Sequence, residues 1–262
     1  MKDSGTQSTL IRGFLIVEEI VKADRPVSST WLAEKLGLPK PTVHRVAQQL
    51  EREGLLQREP GGKRFTGGRR LRNLATTTLS NSVLNAHRTA ILQDLSREVG
   101  ETCNITTLDG HEILYLDRVE TNWPYRIHLP IGSRLPLHCT ATGKLFLANM
   151  TPKIRHRLIR TLDLTRYTPR TITDPDKLEG QLREIAAEGV GYNTGEYLEG
   201  MVAVSVPVIG EDNRMCFAIA VHAPSVRKSL SELRQYLPNL RHAAARLAAS
   251  DCSNHGDEQD AA

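Results

Sequence analysis

VSSTWLAEKLGLPKPTVHRVAQQLEREGLLQREPGGKRF, Val27 to Phe65, is the stretch that decides how this chain is read. Ser28 and Ser29 can cap a helix whose inward face is Leu32, Ala33 and Leu36, and Gly37 then stops it. A second helix starts around Lys40 and Pro41, where a first-turn proline loses no hydrogen bond, and it buries Val43, Val46, Ala47 and Leu50 at helical spacing. Its early turns leave Pro41, Thr42, His44, Arg45 and Gln48 facing outward. Arg45 suits guanine and Gln48 adenine. After Gly54, LLQRE, the turn PGG and KRFT form a hairpin with Lys63 and Arg64 at its tip; with Lys40 they are placed for phosphates rather than bases. Upstream, Leu10, Phe14, Val17 and Val21 recur at steps of four, three and four, which predicts a third helix with that inward stripe. The order is that of a winged helix-turn-helix, and it makes DNA the first partner to consider.

Charge points the same way. Residues 1–80 hold 14 Lys and Arg against 8 Asp and Glu, a balance of +6, whereas the remainder of the 262 residues carries −2. A basic head on a near-neutral body fits a nucleic-acid-binding part joined to one that meets a different partner. The four cysteines, Cys103, Cys139, Cys216 and Cys252, include no pair at metal-ligand spacing, and no signal peptide is evident, so a reduced, cytoplasmic setting is expected. Every apolar run is interrupted by Lys, Arg, Asp or Pro before it reaches membrane-spanning length. The sequon at Asn104 carries no meaning in a cytoplasmic protein.

The pattern predicts a DNA-binding domain over 1–67, a linker helix over 68–82, a second domain over 83–250 and a disordered tail over 251–262. The linker helix carries Leu71, Leu74 and Thr78 on one side, a stripe for a second subunit or for its own N-terminal domain. Beyond it, a helix holds Ile91, Leu95 and Val99, and strands are expected at CNITTL, EILYLDRV, YRIHL, VAVSVPVI and CFAIAVHA. Helices are expected at ATGKLFLANM, PKIRHRLIRT and PDKLEGQLREIAAEG, with one last helix from Ser231 carrying Leu233, Leu237, Leu240, Ala244 and Leu247. Hairpins with helices between them describe an α+β domain with an antiparallel sheet flanked by helices.

Three segments in order carry a resemblance to a known family. LGLPKPTVHRVAQQLEREGLL, IGSRLPLHCTATGKLFLA (Ile131–Ala148), and GEYLEGMVAVSVPV followed by FAIAVHAP resemble signatures of the IclR family of bacterial transcriptional regulators. The resemblance implies a winged helix-turn-helix joined to a GAF-like effector domain, homodimers that can pair into tetramers, and a palindromic double-stranded DNA operator. It also implies an effector pocket: Cys139, Thr140, Ala141 and Thr142 on the loop, Asn193 and Glu196 from the segment before the strands, Ala203 and Ser205 from one strand, Ala220 and His222 from the next. Chemistry supports the loop independently, since a Thr-Ala-Thr-Gly run opening a helix offers hydroxyls and free N–H groups to a carboxylate. His222 stands where relatives place a small hydroxyl, which favours a bulkier, aromatic acid.

Several of these residues admit another reading. Thr140 to Thr142 can serve as a helix cap alone, Glu196 reads as a solvated turn residue, and His222 as a core histidine or a ligand contact. HCTATGKL lacks the phosphate-loop pattern, with His138 where Gly is required and Leu145 in place of Ser or Thr. His138 and Cys139, as strand neighbours, would face apart, which argues against a thiol nucleophile. Nothing in the spacing of His128, His138 and His222 requires a metal. The expected activity is a dimeric, sequence-specific regulator of a catabolic operon, not an enzyme, with no cofactor and a small carboxylic or aromatic acid as effector. The alternative is a metabolite-binding module or enzyme whose helix-turn-helix serves protein contacts only.

Overall fold

The computed structural model describes residues 8–23, 25–59, 62–79, 82–121, 123 and 129–251, and the chain divides into two compact units after Leu79. The expected tail from 252, and the YRIHL strand up to His128, lie outside the described residues.

The N-terminal unit opens with α1 (Thr9–Ala23), followed by α2 (Ser29–Leu36) and α3 (Lys40–Arg52). Ser28 caps α2 by accepting a hydrogen bond from Trp31 N–H at 3.1 Å, and Gly37 ends it in the left-handed region, φ 63°. Strands β1 (Leu56–Arg58) and β2 (Phe65–Gly67) pair antiparallel as the wing. Val27 adds a bridge to Phe65, which seats that ring in the core with Leu32, Val43, Val46 and Leu56. The stripe of α1 differs from the expectation. Ile16 and Ile20 are buried, while Leu10, Phe14 and Val21 are exposed and Val17 is only partly covered. Both stripes have helical spacing, because α1 is apolar almost all round; packing against α3 selects the one that includes Gly13, which lies beside Val46 and Leu50. The stripe left outside joins Leu50, Leu55, Leu71 and Leu74 around a groove of about 450 Å³. Leu71 and Leu74 lie on α4 (Arg69–Leu79).

The C-terminal unit begins with α5 (Ser82–Val99), which buries Ile91, Leu95 and Val99 as expected from their spacing. Then follow β3 (Thr102–Asp109), β4 (Glu112–Val119), β5 (Arg134–Pro136), α6 (Ala141–Asn149), α7 (Pro152–Ile159), α8 (Pro175–Glu188), β6 (Gly191–Thr194), β7 (Met201–Ile209), β8 (Met215–Pro224), α9 (Leu230–Arg234) and α10 (Leu237–Asp251). The six strands form one antiparallel sheet in the order β5-β4-β3-β8-β7-β6. Helix α6 packs across β6, β7 and β8, and α5 and α10 pack against each other and against β3, β4, β7 and β8. Three details differ from the sequence reading. Neither the short β5 nor β6 is expected from it, and the single last helix is two, because Pro238 cannot continue a helix through Arg234 without striking its carbonyl.

Candidate functional site

Two regions gather the residues singled out from the sequence. On α3, Val43, Val46 and Ala47 face the core, so Lys40, Pro41, His44 and Arg45 stand in solvent and Thr42 and Gln48 are half-buried. Lys63 and Arg64 are exposed just ahead of β2. None of Lys40, His44, Arg45, Lys63 or Arg64 makes a side-chain hydrogen bond or ion pair with a described residue, so all five charged or titratable ends are open to a partner. Other arginines beside the wing are engaged inside the unit, Arg72 among them, donating to Gly67 O at 2.6 Å. Arg58 pairs with Glu51 at 2.9 Å and lies over the Phe65 ring, and Arg70 pairs with Glu53 at 2.9 Å.

In the C-terminal unit the site is a buried sheet face beneath the start of α6. Cross-strand pairing sets Thr102, His222, Ala203 and Asn193 in one row, and Asn104, Ala220, Ser205 and Gly191 in the next. Gly191 fixes which face this is: a Cβ there would stand 2.3 Å from Ala141 O and 2.5 Å from Ser205 Oγ, so only glycine lets β6 meet the first turn of α6. Thr140 caps α6; its hydroxyl donates to Pro136 O at 2.8 Å and accepts from Gly143 N–H at 3.2 Å. Ala141 and Thr142 follow, buried, in the turn whose N–H groups have no acceptor four residues back.

Several expected ligand contacts are engaged by the fold. Asn193 donates from Nδ2 to Cys139 O at 3.0 Å, and its Oδ1 accepts from Gly195 and Glu196 N–H at 2.8 and 2.9 Å. Glu196 is not in solvent: it is 2% exposed and accepts two bonds from Lys144 Nζ, at 2.6 and 2.7 Å. Lys144 Nζ also donates to Gln181 Oε1 at 2.8 Å. Burial holds this ammonium below its usual range, against the pull of Glu196. Lys144 is not among the site residues the sequence singles out, although a charge directly ahead of the apolar run LFLA was the available signal. The Cys139 thiol is pushed up to about 12, by burial first and by Glu196 second, so it stays protonated at neutral pH. His138 and Cys139 lie in a turn rather than a strand, and His138 Nε2 donates to Thr165 O at 3.0 Å. His222 is buried on β8, with its Nδ1 3.2 Å from Asn104 Nδ2. Among the described residues no group of three His, Cys, Asp or Glu could hold a metal; His128 lies outside them. No helix among them is long and apolar enough to cross a membrane.

Comparison with known proteins matches both units. Residues 9–60 fit the family model for the IclR helix-turn-helix domain, and residues 76–249 that for the bacterial transcriptional regulator IclR C-terminal domain. The chain is 42% identical over 247 residues to the probable transcriptional regulator SauR of Cupriavidus necator, covering 94% of this chain and 98% of that protein. The crystal structure of the Thermotoga maritima IclR is similar with a TM-score of 0.61 at 25% identity, covering 92% and 97% of the two chains. A double mutant of the PobR inducer-binding domain from Acinetobacter, solved with 3-hydroxybenzoic acid, is similar with a TM-score of 0.57 at 29% identity, covering 61% of this chain and 94% of that one.

Proposed function

This chain belongs to the IclR family of bacterial transcriptional regulators, proteins that bind DNA and small-molecule effectors, and on that premise we propose which residues do each and what the effector is. The observation that carries the DNA assignment is the open outer face of α3. Arg45 and Gln48 read bases, with Pro41, Thr42 and His44 beside them, while Lys40, Lys63 and Arg64 anchor phosphates. The domains run 1–67, 68–82 and 83–250, with α4 inside the linker.

The chain acts as a dimer, whose two recognition helices meet half-sites about 34–36 Å apart or a multiple of it on a palindromic operator. The apolar groove lined by Leu10, Phe14, Val17, Leu71 and Leu74 supports this, since Leu10, Phe14 and Leu74 lie exposed side by side and a partner would cover them. Leu74 serves the partner as well as its own unit. Pairing of dimers into a tetramer is a further step of the same kind.

The effector is a carboxylic acid, with its anion at the opening of α6 and its body over Ala203 and Ala220 beside His222. Short side chains at 203 and 220 leave room for a ring, and the PobR domain's 3-hydroxybenzoic acid is a precedent for an aromatic one. An acid of this class suits control of a catabolic operon.

Fluorescence anisotropy with the upstream intergenic DNA and a scrambled duplex, over a salt series and a panel of carboxylic and aromatic acids, tests this. Preferential binding shifted by one acid is expected, and Thr142→Leu binds the DNA as wild type does but no longer responds to the acid. Equal weak binding to both duplexes overturns the DNA assignment, and an unchanged response in Thr142→Leu overturns the pocket.

A further inference from the structure

Three buried polar atoms on the sheet face under α6 have no hydrogen-bond partner among the described residues: Asn104 Oδ1 and Thr106 Oγ1 on β3, and Ser205 Oγ on β7. All three side chains are at most 1% exposed. A native fold leaves few such atoms, since each forfeits the bonds it made to water. Three on one face is a pattern.

Their placement follows from the register. Asn104 and Ser205 lie on either side of Ala220, two strand spacings or about 10 Å apart, with only a methyl group between them. Thr106 sits two residues along β3, about 7 Å further, opposite Ala218, which packs with Leu145 and Phe146 of α6. Ser205 is paired with Gly191, the residue that meets the first turn of α6. The three atoms therefore frame a small floor lined by Ala218 and Ala220, next to the helix opening.

We infer that Asn104, Thr106 and Ser205 select the effector, and that this effector carries a hydroxyl or amino group distant from its acid. The inference rests on the assignment of the pocket made above and adds β3 to it. Asn104 supplies the sharpest constraint. Its Nδ2 donates to His222 Nδ1, so Oδ1 remains, and a carbonyl oxygen can only accept. A ligand satisfies it only with a donor, while the hydroxyls of Thr106 and Ser205 take either role. A plain hydrocarbon acid leaves all three atoms unpaired and is discriminated against.

The test uses the whole protein, isothermal titration with acid pairs that differ by one hydroxyl distant from the carboxylate (3-hydroxybenzoate and benzoate, 4-hydroxybutyrate and butyrate), and thermal unfolding without ligand. Wild type binds the hydroxylated member of at least one pair about tenfold more tightly. Thr106→Val and Ser205→Ala, which keep shape and remove the hydroxyl, reduce that ratio toward one and leave the ligand-free melting temperature unchanged or raised, because no internal bond is lost. Melting several degrees lower would mean that the hydroxyls hold structure or buried water, and would overturn the inference. Equal affinity within every pair, with Thr142→Leu abolishing both, overturns it while leaving the pocket standing. Binding that survives Thr142→Leu overturns the pocket instead, and no binding by any acid overturns both.

Discussion

Lys40, His44 and Arg45 on α3 and the Thr140–Asn193–Glu196 group around the start of α6 are both polar clusters, yet the fold treats them in opposite ways. The α3 cluster is exposed and makes no side-chain bond to a described residue. The α6 cluster is buried, and each member closes a loop or caps a helix: Thr140 on Gly143, Asn193 on Gly195 and Glu196, Glu196 on Lys144. In the first region the side chains are free to be changed without touching stability, so their types report on a partner. In the second, the residues assigned to the ligand are already used by the fold. Around α6 the atoms left open to a ligand are the unpaired ones on the neighbouring strands, and not the best-connected ones.

Substitution can break this contrast. The largest effect is expected from Lys144→Met, which strands the Glu196 carboxylate in the interior and should lower stability by about 3–5 kcal/mol in urea unfolding, with part recovered when Glu196→Gln is added. A loss within about 0.5 kcal/mol, as expected for an exposed residue, would place both clusters in one class. Arg45→Ala should leave unfolding unchanged but weaken operator binding by about 1–3 kcal/mol and spare random DNA. Equal losses on both duplexes would turn Arg45 into a phosphate contact. Lys63→Ala should weaken both duplexes alike and reduce the slope of log affinity against log salt by about one.

The smallest effect belongs to His138. Burial holds its imidazole below the ordinary 6.5, so as pH falls past that value the unfolded chain takes up a proton that the folded chain resists. Stability is full above pH 6.5 and declines below it, and His138→Gln should flatten that decline in unfolding curves measured from pH 7 downward. A steeper decline in the variant would reverse the sign assigned to this residue.

The parts of the fold legible in the sequence are those where one local signal has one outcome. Ser28, Gly37 and Pro41 punctuate the helix-turn-helix, and the alternation of EILYLDRV gives β4 its full range, Glu112–Val119. Gly191–Thr194 was not legible as a strand, because four residues without an apolar run carry too little periodicity. Pro238 was legible and outweighed by a regular leucine spacing that crosses it.

The amino-acid sequence by itself determined the winged head, its charge and the α+β body, because caps, turns and periodicity act over a few residues and need no distant partner; the family showed in the resemblance of three segments to its signatures. Tertiary structure alone decided which of two equivalent stripes of α1 is buried, that Lys144 meets Glu196 fifty-two positions away, and that Asn104 and Ser205 share one floor. Those outcomes depend on which surfaces are pressed together, and a helix or strand with two usable faces does not specify that until its neighbour arrives.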